Sequence, residues 1–243
     1  MSLTRVIGVV LGGGAGQRFG THRPKQLLAL DGKTLVERCV AAFAQAPDVD
    51  EVLLVMGPDY VEEGAQLAGD QVLGVVTGGA TRAESVRCAL RELSQRYDPA
   101  ATGVLLHDAA RPLVTQPVIA DCVAALHAGN DAIGTAVPTA DTIVIVENGV
   151  MAHVPPRETL MRCQTPQGFR LSVINRAHEL AAADPDFVPT DDCGVVLRYL
   201  PGTPVHVVPG SERNIKVTYP ADLAVAEVLL RAPRLWWKRT VAG

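Results

Sequence analysis

The stretch from Val10 to Leu30, VLGGGAGQRFGTHRPKQLLAL, concentrates residue types suited to holding an anion. Five glycines fall in its first eleven residues, and Arg18, Arg23 and Lys25 stand among and just after them. Bare glycine backbone lets successive N–H groups approach an anion without Cβ interference. Fixed cations beside such a nest suit a polyphosphate. Counting excludes two familiar phosphate loops. A dinucleotide fingerprint needs glycines at i, i+2 and i+5. Gln17 occupies the third position when the count starts at Gly12, and Phe19 occupies it when the count starts at Gly14. A Walker loop must open on a glycine five residues before its Gly-Lys-Ser/Thr close, and Leu27 stands there for Gly32-Lys33-Thr34. What remains is an apolar stretch, a loop carrying Gly12, Gly13 and Gly14, then Arg18 and Pro24-Lys25. A glycine turn with surface basic residues is the competing reading.

The elements that must position this loop follow from hydrophobic periodicity. VIGVVL (6–11) is apolar on both faces, as a fully buried parallel strand requires. Further strands are predicted at 51–57, 72–78, 103–108, 131–137 and 204–208, and helices at 34–46, 82–96, 116–128, 171–182, about 191–199 and 220–231. Residues 137–160 read as a β-hairpin turned at Asn148-Gly149, a dipeptide favoured in tight hairpins. This alternation predicts an α/β fold, Rossmann-like and three-layered, with a mostly parallel central sheet. One domain over 1–243 is expected, with a β-arm protruding at about 138–160 and a tail at about 232–243 that carries Trp236-Trp237. Ligands in open α/β sheets bind beyond the carboxyl ends of the strands, so the loops there are the places to look.

Composition narrows the function classes. The 243 residues carry 22 Lys and Arg against 26 Asp and Glu, a net charge of −4, which supplies no general drive toward nucleic acid or a membrane surface. An anionic ligand must therefore be held by locally placed cations. Cys39, Cys88, Cys122, Cys163 and Cys193 lie too far apart for a C-x-x-C pair and suggest no disulfide framework. No signal core or membrane-length apolar run is present, and a cytoplasmic location is expected.

Seven segments occur in an order that resembles the cytidylyltransferases acting on polyol phosphates: LGGGAGQR with PKQ, GGATRAESV (78–86), HDAARP (107–112), Asp141-Thr142, QTPQGF (164–169), TDD (190–192) and NIKVT (214–218). The nearest group within them is the methylerythritol-phosphate type, with the ribitol-phosphate type as its sister. The resemblance implies transfer of CMP from CTP to 2-C-methyl-D-erythritol 4-phosphate, with pyrophosphate leaving. The acceptor's phosphate oxygen attacks the α-phosphorus, so no protein nucleophile is needed, and positioning and charge stabilisation supply most of the acceleration.

Residue by residue, the resemblance gives Arg18, Lys25, Lys216 and Arg157 catalytic charge roles. It gives contacts with the nucleotide or acceptor to Gly12, Gly13, Gly14, Gly78, Gly79, Ser85, Asp108, Arg111, Thr142, Thr165 and Thr190. It implies Mg²⁺ held mainly through the CTP phosphates, with no protein ligand assigned. It further implies a homodimer in which the arm carries Thr142 and Arg157 into the partner's site. Residue-level alternatives stand beside these roles. Asp108 and Arg111 could form a structural salt bridge, Arg82 could lie on a helix surface, and Asp191-Asp192 could serve the dipole of a helix N-terminus. His107 is read as a packed histidine. Departures also stand out: Gly12-Gly13 replaces an alanine pair, and Cys193-Gly194 replaces Ala-Ser. VPPRETL and NIKVT also suit the ribitol enzymes, and a catalytically silent nucleotide-binding regulator is the alternative from a different class.

Overall fold

The computed structural model describes residues 2–13 and 23–232. Gly14 and Arg18 of the glycine loop, and the Trp236-Trp237 tail, lie outside the described residues. In chain order the elements are β1 (Arg5–Gly12), the short pair β2 (Ala29–Leu30) and β3 (Lys33–Thr34), α1 (Leu35–Ala44), β4 (Glu51–Met56), α2 (Val61–Ala68) and β5 (Gly74–Thr77). Next come α3 (Arg82–Arg96), β6 (Thr102–Asp108), α4 (Gln116–His127), β7 (Ala132–Pro138), β8 (Ile145–Glu147), β9 (Val150–His153) and β10 (Met161–Arg170). The chain continues with α5 (Leu171–Ala182), α6 (Asp192–Tyr199), β11 (His206–Pro209) and α7 (Pro220–Arg231).

Seven strands form one sheet in the order β11-β7-β10-β6-β1-β4-β5. All run parallel except β10, which lies antiparallel between β6 and β7. Side chains alternate along β1 with period two. Val6 and Val10 join a core with Val40, Phe43 and Ile119 on one face, while Ile7 and Val9 join Val86, Leu90, Phe169 and Ile174 on the other. Helices α1 and α4 cover the first face, and α3, α5 and α6 cover the second, which gives the three layers expected. The helices start where their sequences provide caps. Thr34 and Thr81 each accept from the backbone of a glutamate three residues on, whose carboxylate returns to the cap N–H.

Besides the two-residue strands β2 and β3, two elements were not predicted. Helix α2 is short, and β10 runs through Pro166 and Gly168, residues that argue against a central strand. The structure accommodates both residues. The pairing of β10 with β7 shifts register between Cys163 and Gln167, where Pro166 sits. A Cβ on Gly168 would come within 2.6 Å of Ile133 and 2.9 Å of Leu105 on the flanking strands, so only glycine lets the three strands close up. The hairpin turns as expected, with Asn148 and Gly149 at φ 51° and 80°, but its paired strands are only Ile145–Glu147 and Val150–His153.

Candidate active site at the carboxyl ends of the central strands

Strands β1, β4, β5 and β6 deliver their carboxyl ends to one edge of the sheet, and the glycine-containing loops start there. Gly12 closes β1, and its carbonyl accepts a hydrogen bond from the buried Gln26 amide. Gln26 follows Lys25 in a single 3-10 turn (Lys25–Leu27), so the lysine is carried on a turn tied back to the end of β1, although it is not among the residues lining the cavity around Asp108. A Cβ on Gly13 or on Gly78 would come within 2.7 Å of the same atom, Ser85 Oγ. The two glycine loops therefore close on one buried serine, whose hydroxyl donates to the Thr81 carbonyl at 3.0 Å. Gly79 packs on Glu84, where a Cβ would approach the glutamate's own to 2.3 Å.

The end of β6 holds the charged centre. Asp108 is buried, and its two oxygens take two cations: Arg82 Nε donates to Oδ1 at 2.9 Å, and Lys216 Nζ donates to Oδ2 at 2.7 Å. Arg82 bridges onward, with Nη2 2.8 Å from Asp192 Oδ2, while His178 Nε2 donates to Asp192 Oδ1 at 3.0 Å. Burial alone would push the Asp108 carboxyl up, but Arg82 and then Lys216 outweigh it and hold the group well below the usual carboxylate range. Asp192 is fully buried and is held down in the same way, burial being outweighed by Arg82 and His178.

Around this centre lies a cavity of about 240 Å³ lined by Arg82, Asp108, Arg111, Thr165, Thr190 and Lys216, with Cys163, Gln164, Gln167 and Asp191 completing its wall. The structure thus brings together five residues from four separate motifs of the sequence: Asp108, Arg111, Thr165, Thr190 and Lys216. Arg111 does not pair with Asp108. Its Nη1 and Nη2 donate to the Asn214 and Cys163 carbonyls at 2.7 and 3.3 Å, clamping the NIKVT loop to β10. Thr142 and Arg157 do not line this cavity. They meet each other on the arm, Arg157 Nη2 donating to Thr142 Oγ1 at 2.8 Å, and both are exposed.

His107 is packed, as expected, and it organises this end of the strand. Its Nε2 lies 3.0 Å from the Arg111 carbonyl, which can only accept, so Nε2 carries the proton. Nδ1 then accepts from the Thr165 hydroxyl at 3.0 Å, and that hydroxyl in turn accepts from the Asp108 N–H at 3.1 Å. Burial pushes the imidazole pKa down from 6.5 to about 4. Between those values the unfolded chain binds the extra proton, so stability is complete above pH 6.5 and falls as pH drops toward 4. The loss is on the order of 3 kcal/mol across that window. His107→Gln, which keeps a donor for the Arg111 carbonyl, is expected to flatten this part of the pH dependence of the melting temperature.

Sequence reasoning missed Arg82 as the bridge, Asp192 and His178 as its anchors, and Gln167. The Gln167 amide oxygen accepts from the Asp192 and Cys193 N–H groups while its nitrogen donates to Asp191. A signal for His178 was present: Ile174, Ala177, His178 and Ala181 form one buried helical stripe, in which a histidine must find a polar partner.

Comparison with known proteins agrees with this geometry. Residues 6–232 match the sequence profile of 2-C-methyl-D-erythritol 4-phosphate cytidylyltransferase. The protein of that name from Thermobifida fusca is 52% identical over 236 residues, covering 93% of this chain and 94% of the relative. The chain belongs to the 2-C-methyl-D-erythritol 4-phosphate cytidylyltransferase family. It is therefore a nucleotidyltransferase of the CTP-dependent kind. The crystal structure of the Thermus thermophilus member superposes with a TM-score of 0.72 at 32% identity, over 96% of this chain and 100% of that one. A bifunctional ribulose 5-phosphate reductase/CDP-ribitol pyrophosphorylase of Haemophilus influenzae is 34% identical over 96% of this chain, which spans 49% of that protein.

The departures from the family pattern have local reasons. A Cβ on Gly12 would come within 2.8 Å of Met56 Sδ and 3.0 Å of the Val55 carbonyl, so an alanine pair would collide with what packs here. At α6, a Cβ on Gly194 would lie 2.7 Å from Asp191 Oδ1, which caps the helix by accepting from the Gly194 N–H at 2.8 Å. Cys193 is buried against β7, its thiol directed at the Ile133 carbonyl.

Proposed function

We infer that this chain transfers CMP from CTP to 2-C-methyl-D-erythritol 4-phosphate. An oxygen of the acceptor's phosphate forms the new bond to the α-phosphorus, the bond from that phosphorus to the bridging oxygen breaks, and pyrophosphate leaves with its electron pair. The observation that carries this reading is the convergence, at the carboxyl ends of β1, β5 and β6, of two close-packed glycine loops and the Lys216–Asp108–Arg82 cluster, in a chain 52% identical to a relative so named. Gly12, Gly13 and Gly14 are assigned to the triphosphate, and Gly78 and Gly79 to the base. Ser85 holds the two loops together. Arg18, Lys25 and Lys216 are assigned to the charge that develops as pyrophosphate departs. Arg111, Thr165 and Thr190 are assigned to the acceptor side of the cavity, Thr165 shaping the wall through its engaged hydroxyl.

Mg²⁺ is proposed to enter with the nucleotide. Among the described residues no three His, Cys, Asp or Glu side chains converge, and both Asp108 oxygens are already paired. That donor set fits a cation carried by the phosphates and only approached by the protein. When bound, the metal supplies charge compensation to the triphosphate.

The chain is read as one nucleotidyltransferase domain with a β-arm, working as a homodimer in the cytoplasm. No helix among the described residues is long and apolar enough to cross a membrane. The arm supports a second copy as partner: Ile145, Val146, Val150, Met151 and Val154 are all at least 46% exposed, and a bare two-stranded hairpin with that face is marginal in water. Arg157 and Thr142 would then complete the partner's site. Sedimentation is expected to find a dimer, and Val150→Asp with Met151→Asp is expected to give a monomer with little activity. A fully active monomer would overturn the shared-site reading.

The function itself is tested by pyrophosphate release from CTP, with methylerythritol 4-phosphate and ribitol 5-phosphate in parallel. Turnover with the first is expected. Preference for the second would move the chain to the CDP-ribitol reaction, and CTP binding without release under either acceptor would favour a silent nucleotide-binding protein.

A further inference from the structure

Four side chains form one continuous line of ionic contacts from the cavity rim to the interior: Lys216, Asp108, Arg82 and Asp192, at 2.7, 2.9 and 2.8 Å. A fifth, His178, closes the inner end on Asp192 at 3.0 Å. Two carboxylates and two cations balance, so the line is neutral as it stands. A triphosphate arriving at the rim demands a cation, and whichever one leaves must not strand a buried carboxylate, since removing one partner of a buried pair is costly.

The two cations on Asp108 are not equivalent. Arg82 is the more buried, with its side chain 28% exposed, and it is fixed at two points by Asp108 and Asp192. Lys216 is 39% exposed, and among the described residues its ammonium pairs with Asp108 alone, from a flexible four-carbon stem. Lys216 is therefore the cation that can move to phosphate, provided Arg82 stays on Asp108. Whether Arg82 stays depends on Asp192. Its other oxygen is satisfied by the His178 N–H, so Asp192 does not draw the guanidinium wholly to itself.

We propose that His178 is a positioning residue for nucleotidyl transfer, acting through Asp192 and Arg82 to keep Asp108 compensated so that Lys216 is free to engage the phosphates. This rests on the functional reading above. The residue does not line the candidate active-site cavity. It sits on the buried stripe of α5, and its donor is spent on a carboxylate that itself faces α3.

The test is a double-mutant cycle on the full-length protein between His178→Leu and Lys216→Ala, with His178→Gln as the conservative variant whose amide nitrogen reaches the place of Nε2. Removing a hydrogen bond to a charged group predicts that His178→Leu lowers kcat about 10- to 100-fold while leaving the KM for CTP within about twofold. His178→Gln is expected to keep kcat within about threefold of the parent, because it keeps the donor. In the Lys216→Ala background, His178→Leu is expected to cost less than about twofold more, since the cation it frees is already gone. Equal cost in both backgrounds would overturn the proposal, because a merely structural histidine lowers both by the same factor. If His178→Leu does not fold, His178→Gln is set against His178→Asn, whose nitrogen falls short, and equal kcat for these two would overturn it. An unsubstituted chain that released no pyrophosphate would overturn the functional reading and this inference with it, whereas additive costs in an active parent overturn this inference alone.

Discussion

Lys25→Ala is expected to lower kcat/KM for pyrophosphate release by about two orders of magnitude or more, the scale seen when one preorganised charge donor is removed from a transition-state site. The lysine opens a three-residue 3-10 turn whose next residue, Gln26, is buried and bonded to the Gly12 carbonyl. The side chain is thereby placed beside the loop that begins at the end of β1. It is only partly buried, so its truncation removes charge without opening a cavity. Stability should change by no more than about 0.5 kcal/mol, as for most surface substitutions. The check is steady-state kinetics alongside a thermal melt. A large loss of rate with an unchanged melt assigns the charge to the reaction, and near-normal turnover would show the site to be misassigned. Lys25→Arg, which keeps charge but changes its shape, is expected to recover part of the rate.

Asp108→Ala is expected to act on stability first, costing about 3–5 kcal/mol, because it leaves Arg82 and Lys216 facing each other without the carboxylate that holds both. Arg82 suffers most. It retains Asp192, but its Nε loses the only acceptor that the described residues offer it. Asp108→Asn is expected to be milder, since the amide oxygen can still accept one of the two donors, although the charge is lost. Chemical denaturation at neutral pH measures the difference. The sign with acid follows from the depressed carboxyl pKa of Asp108. In the folded state the group stays ionised below the ordinary value of 3.8, so its contribution is complete above that value and is lost as pH falls toward the folded pKa. The gap between wild type and Asp108→Asn should therefore narrow below about pH 4. A gap independent of pH would mean that charge compensation is not what Asp108 supplies.

Much of the fold was legible from local rules. Apolar runs marked β1, β4 and β6, and the capping boxes at Thr34 and Thr81 set the starts of α1 and α3. Asn148-Gly149 placed the arm's turn, because those two residues tolerate positive φ. Strand β10 was not legible. Pro166 and Gly168 are strand breakers by any local criterion, and only the approach of Ile133 and Leu105 on neighbouring strands explains why glycine is needed there. His178 was not singled out, because nothing within one turn of α5 reveals the carboxylate that it serves.

The amino-acid sequence alone determined the layer architecture, the strand-end loops and, through seven motifs in order, the class of reaction. It could not decide which partner each charge takes. Asp108 and Arg111 are three apart, and a pair between them stood as the alternative to substrate contacts, yet Asp108 binds Arg82, 26 residues before it, and Lys216, 108 residues after it. Periodicity, caps and turns act over three or four residues and are written in the chain. Ion pairs at the carboxyl ends of β6 and its neighbours depend on strand order and register, which exist only once β10 has been inserted and the NIKVT loop has closed over the sheet.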